Sequence, residues 1–273
     1  MGKVWMGLLL AFMGGVASAE PPADVSAKAE LSMRVAGTLE LAADGSVTSW
    51  QVDEPDRLPD AVVDLVDRAA PAWRFEPLLV DGQPVASRVR ASLRLVATQD
   101  GDESYSVSIR SAHFSDPDLE GQPPRIRRPP DLPASVVRLG AQGAVHLVLK
   151  VSRDGKVQDA VVEQVNLRTV GSARQMDEVR ADFARAVLPS ARTWRLSAQG
   201  AEERGYTVAR MVVDFVIGKQ APDRSYGKWE AYIPGPRHRA PWAGDEVSPD
   251  ALASGGIYTE GAQRRLLTPL QPG

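Results

Sequence analysis

The chain has 273 residues, 32 of them basic and 35 acidic, with three histidines and no cysteine. This near balance of charge sets up no global field favouring nucleic acid, and the lack of cysteine excludes disulfides and lipid attachment at an N-terminal cysteine. Stability must come from packed apolar area, which a chain of this length can supply as two small domains.

Residues 1–19 have the layout of a cleavable secretory signal. Lys3 is the only charge, residues 4–13 are apolar apart from Gly7, and Ala17-Ser18-Ala19 offers a small-residue cleavage site, so the cut is expected after Ala19. Residues 4–19 fall short of the roughly 20 needed for a spanning helix, and no other segment is long and apolar enough. An exported, cysteine-free chain is expected in a bacterial periplasm, with no stable membrane span once the leader is removed.

Residues 20–30 are a short polar lead-in to a first domain over 31–114. Val35, Gly37, Leu39 and Leu41 alternate on one strand face, and Asp44-Gly45 supplies a hairpin turn into a return strand over 47–52. Leu58, Ala61, Val62, Leu65, Val66 and Ala69 recur at helical spacing, with Asp60, Asp64, Asp67 and Arg68 facing water. Pro59 suits the first turn of that helix and Pro71 ends it. Gly82 marks a further turn, 88–96 alternates as a strand, and Asp100-Gly101 turns the chain into one more strand over 105–112.

Residues 115–133 hold six prolines and no hydrophobic period, as expected of a linker stiffened by polyproline conformation. A second domain over 134–218 follows. Val145, Leu147, Leu149 and Val151 face one way on its first strand, leaving His146 and Lys150 on the other face. Asp154-Gly155 repeats the hairpin turn. The stretch QVNLRTVGSAR reads as a loop insertion before a helix striped by Met176, Val179, Phe183, Val187 and Leu188, which Pro189 should break or kink. In the last strand Ala209, Met211, Val213, Phe215 and Ile217 point to the core, while Arg210 and Asp214 point to a face expected to be wet. Residues 219–273 form a Pro/Gly-rich tail, partly ordered at most, in which Trp229, Tyr232, Trp242 and Tyr258 are candidates for docking on a domain.

The two domains are one pattern used twice. Gly37 pairs with Gly143, Asp44-Gly45 with Asp154-Gly155, and Trp73-Arg74-Phe75 with Trp194-Arg195-Leu196. Matching positions make Trp73 and Trp194 packing residues between helix and sheet rather than ligand platforms. The expected fold is α+β, with two tandem small domains, each a three- to four-stranded antiparallel sheet packed on a helix.

The stretch PPDLPASVVRLGAQGAVHLVLKVSRDGKVQDAVV resembles the start of the C-terminal domain of TonB, the periplasmic energy transducer of Gram-negative bacteria. The likeness continues through Arg192-Thr193-Trp194-Arg195-Leu196 to Val213-Asp214-Phe215. The first copy carries Asp44-Gly45-Ser46-Val47, Ala72-Trp73-Arg74-Phe75-Glu76-Pro77 and Asp81-Gly82-Gln83-Pro84-Val85. The chain departs from that family in its short leader, expected to be cleaved, and in placing its Pro-rich segment between domains. The resemblance therefore implies a fold and a mode of partner binding rather than energy transduction.

Catalysis requires convergent titratable or nucleophilic groups. His113, His146 and His238 share no motif spacing, and there is no G-x-S-x-G, H-E-x-x-H or P-loop. No enzyme activity, metal or cofactor is expected.

In a sheet whose last strand pairs with its first, that last strand keeps a free edge able to accept an extended peptide, and the resemblance implies transporter-peptide addition at this strand. In copy one, residues 105–112 fill the edge, whereas copy two has no such follower. Thr207, Val208, Arg210, Val212, Asp214 and Val216 are therefore the expected partner-binding residues, for an envelope protein or extended peptide segment. Alternative occupants of the edge are the tail, the other domain or a second protomer in a homodimer. If the leader is retained, the alternative function is a membrane-anchored TonB-like energy transducer for outer-membrane transport. A third reading places a small-ligand carrier or enzyme in the inter-domain cleft.

Overall fold

The computed structural model describes residues 29–99, 105–117, 130–198, 201, 204–217, 226–244, 257–259 and 264–271. The leader and linker residues 118–129 lie outside the described residues, and with them the expected cleavage site and polyproline spacer. The fold is α+β, with mainly antiparallel sheets and few helices.

The first sheet is built on β1 (Glu30–Leu41), which pairs along its length with β5 (Ser87–Gln99). The far edge of β5 is filled by β6 (Tyr105–Ser115). The other edge of β1 is shared by β2 (Val47–Val52) and, from the C-terminal tail, β10 (Glu230–Tyr232). Helix α1 (Asp60–Ala69) buries Val62, Val66 and Ala69 at the spacing of one helical face. Pro59 stands at its N-cap, where a missing N–H costs no helical bond. The hairpin of β3 (Leu78–Val80) and β4 (Gln83–Val85) turns at Asp81 and Gly82, both with positive φ.

The second sheet has the order β11-β9-β7-β8, from β11 (Ile257–Thr259), β9 (Tyr206–Phe215), β7 (Gly143–Ser152) and β8 (Val157–Leu167). Helix α2 (Ala134–Leu139) precedes β7, and α3 (Ala173–Ala191) packs Met176, Val179, Phe183 and Val187 against the sheet. A reciprocal pair of bonds between Ser172 and Gln175 caps α3.

The repeated turns match in detail. Gly45 and Gly155 have φ of 82° and 77°, and a Cβ on either would strike the carbonyl of Phe75 or Leu196. Those two residues donate their backbone N–H groups to the carbonyls of Gly45 and Gly155, at 2.9 and 3.0 Å. Each turn thus clamps the chain just past its tryptophan. The glycines Gly37 and Gly143 are not equivalent, since they stand eight and twelve residues before those turns. Gly37 makes room for the Trp50 ring, whereas Gly143 lies against Asn166 and Phe183.

Three local expectations are revised. The expected insertion begins as strand, because β8 runs on to Leu167 and only 168–172 form the loop. Pro189 does not end α3, which continues to Ala191. The buried Val187, Ser190 and Ala191 hold that last turn in the core, and their packing outweighs one lost backbone bond. The outer face of the second sheet is not wet: His146, Glu163, Gln164, Asn166 and Arg210 are all buried there.

What covers these faces is the C-terminal tail. Tyr226 stacks on Arg34 and Arg57 and its hydroxyl donates to Asp53 O, and Tyr232 sits under Arg94 of the first sheet. The next residue, Ile233, pairs with Leu167 and enters the second core. Residues 264–270 return to the first sheet, where Leu266 bridges Phe75 and Arg264 N–H bonds Phe114 O. No helix among the described residues is long and apolar enough to cross a membrane.

Candidate functional site

β9 pairs with β7 over its whole length, from Gly143 opposite Phe215 to Ser152 opposite Tyr206. On its outer edge, among the described residues, β11 pairs with three positions: Ile257 with Met211, Tyr258 with Arg210 and Thr259 with Ala209. The corresponding edge of β5 is paired with β6 from Arg90 to Gln99. Among the described residues the two repeats therefore fill this edge unequally.

The residues expected to bind a partner all lie on β9 or just past its end. Thr207 and Val208 are buried, and Val208 packs with Val148 and Ala240 on the outer face. Val212 on the same face packs with Ala144 and Tyr258. Asp214 is a quarter exposed and accepts from Arg168 Nη1 at 3.0 Å. Val216 follows the strand and is half-buried. Arg210 is 3% exposed, donates from Nη2 to Gly244 O at 2.6 Å and stands 3.9 Å from Glu163.

Glu163 reaches this face through a β-bulge. Leu147 opposes Val162 and His146 opposes Gln164, so Glu163 is the extra residue. The bulge turns Glu163 and Gln164 to the same side. Arg237 of the tail donates to Glu163 Oε1 from Nε at 3.1 Å and from Nη2 at 2.9 Å. His238 N–H bonds Glu163 O at 2.7 Å, Gly235 N–H bonds Asn166 Oδ1, and Gln164 donates to Gly235 O. The tail satisfies polar groups that would otherwise need water, so its covering of this face is held by hydrogen bonds as much as by apolar area.

His113 of β6 completes the surroundings. Its ring meets Tyr258 edge to face, with centroids 4.2 Å apart. Burial, with the Arg210 charge nearby as a second cause, pushes its pKa down to about 4, so it is neutral at physiological pH.

Periodicity placed Arg210 and Asp214 on one face and did not find Glu163, Arg237 or Tyr226. The polar doublet Glu163-Gln164 between Val162 and Val165 breaks the alternation, and this is the trace a bulge leaves in a sequence.

A second concavity of about 90 Å³ lies between α2, α3 and the loop after β8, lined by Leu139, Ala141, Leu167, Val170, Met176 and Val179. That is well below the roughly 300 Å³ at which pockets for small organic ligands begin. No group of three or more metal-ligating side chains occurs among the described residues. Comparison of the chain with protein-family models, curated proteins and solved structures gave no match.

Proposed function

We propose that this chain is an exported, periplasmic, non-enzymatic protein-binding module made of two TonB-C-like units, and that an envelope partner adds an extended segment as a strand beside β9. The observation that carries this reading is the unequal filling of the two repeated edges among the described residues, ten residues of β5 against three of β9. A strand edge offers a row of backbone donors and acceptors, and alternate side chains select the partner. Thr207, Val208, Arg210, Val212, Asp214 and Val216 are the residues along which such a segment would lie.

Affinity capture from solubilised envelope extract tests this, using the chain from Glu20 onward as bait. Val212→Pro removes a backbone donor from β9, and Asp214→Arg reverses a charge without touching the backbone. Capture of a specific protein that weakens with both variants, each shown to be folded by its thermal transition, is the expected result. A captured protein held equally by wild type and both variants would sink the β9 assignment.

A further inference from the structure

The three residues of β11 occupy the edge assigned to a partner, and they describe what that edge accepts. Tyr258 lies directly opposite Arg210, so its side chain shares the outer face. There it packs with Val212, against which Ala144 also lies, and takes the His113 ring edge to face at 4.2 Å. Its neighbour Thr259, opposite Ala209, is buried on the other face. The seat for the aromatic is drawn from Val212 of β9, itself packed against Ala144 of β7, and from His113 of β6, which belongs to the other sheet. Such a seat exists only when the two halves of the molecule are together.

We propose that the β9 edge binds extended segments that run antiparallel to β9 and carry an aromatic residue opposite Arg210, with β11 as the chain's own occupant of that site. The proposal rests on the reading of β9 as a strand acceptor and adds the ligand class. Two features make β11 replaceable. It pairs with three of the ten residues of β9, so a longer segment gains pairing along 206–208 and 212–215 that β11 does not make. Its outer-face contact is carried by Tyr258, which is only half-buried. An attached occupant nevertheless competes at an effective concentration on the order of millimolar, so a partner must exceed it in length or fit.

The test uses the full mature chain with Tyr258→Ala, and separately with Ile257→Pro, which removes a backbone donor of β11. The probe is a fluorescently labelled synthetic peptide of residues 254–262 (SGGIYTEGA), with a control peptide in which alanine replaces the tyrosine. Both variants should speed hydrogen exchange at residues 209–211. Both should bind the tyrosine peptide at least about tenfold more tightly than wild type does, and the alanine peptide at least about tenfold less tightly than the tyrosine peptide. Unchanged exchange in both variants would show that β11 does not hold this edge and would overturn the proposal. Equal binding of the two peptides would overturn the aromatic requirement while leaving β9 as a strand acceptor. Faster exchange with no binding of either peptide at millimolar concentration would overturn both.

Discussion

The indole N–H of Trp73 donates to the carbonyl of Leu270 at 3.0 Å, 197 residues further along the chain. Its counterpart in the second repeat, Trp194, donates to Ser190 Oγ at 3.2 Å, four residues away. Both rings are fully buried. One repeat therefore satisfies its tryptophan locally, and the other depends on the C-terminus.

Removing residues 264–273 should leave the Trp73 N–H buried without an acceptor, at a cost of about 1–3 kcal/mol, and should also lose the backbone bonds at Arg74, Glu76 and Phe114. In a Trp73→Phe background the same truncation should cost less, because no indole N–H remains to be stranded. Urea unfolding of the four proteins gives the coupling directly. Equal truncation costs in both backgrounds would show that the Trp73–Leu270 bond contributes nothing.

Glu163→Ala should destabilise the chain by about 3–5 kcal/mol, since it leaves the Arg210 guanidinium buried without its carboxylate. Arg237→Ala should cost less, because the Glu163 carboxylate it leaves still has Arg210 3.9 Å away and the pair it breaks is partly open to water on the Arg237 side, 39% exposed. Both changes should speed hydrogen exchange at residues 235–238, where the tail bonds β8. Measured costs in the reverse order would mean that the tail contact, rather than the buried pair, dominates this face.

His113 supplies a pH dependence whose sign follows from its depressed pKa. The unfolded chain takes up a proton near pH 6.5 that the folded chain refuses until about pH 4. The neutral ring is therefore compatible with full stability above pH 6.5, and stability falls as pH drops toward 4, by an amount on the order of 3 kcal/mol. His113→Gln should flatten the plot of unfolding free energy against pH in this window by up to about one proton relative to wild type. A plot that keeps its slope would assign the acid sensitivity to the carboxylates instead.

Much of this architecture is visible in one-dimensional patterns. The Asp44-Gly45 and Asp154-Gly155 turns, the helix over Asp60–Ala69, the apolar stripe of α3 from Met176 to Leu188, and the burial of Trp73 and Trp194 follow from local pattern. Each depends on residues within a few turns of one another, where periodicity and glycine conformations act directly. The extension of β8 through Leu167 and of α3 past Pro189 was not legible, because packing on a distant strand outweighed the local preference.

The partner-binding candidates show the same division. Alternation placed Arg210 and Asp214 on one face of β9, and that face was expected to be wet. Only the tertiary structure decides that Arg210 lies beneath Gly244 and beside Glu163, and that Tyr258 is seated against Val212 and His113.

By itself the sequence determines a duplicated strand–turn–helix–strand unit, because turn chemistry and hydrophobic period are local properties. The tertiary structure decides what covers the second face of each sheet, and how much of each edge is filled. A segment such as 226–244 has no period of its own. Its place is set by polar groups at both sheets, the half-buried Asp53 just past β2 and the buried Glu163, Gln164 and Asn166 of β8 among them, which are satisfied by residues far along the chain.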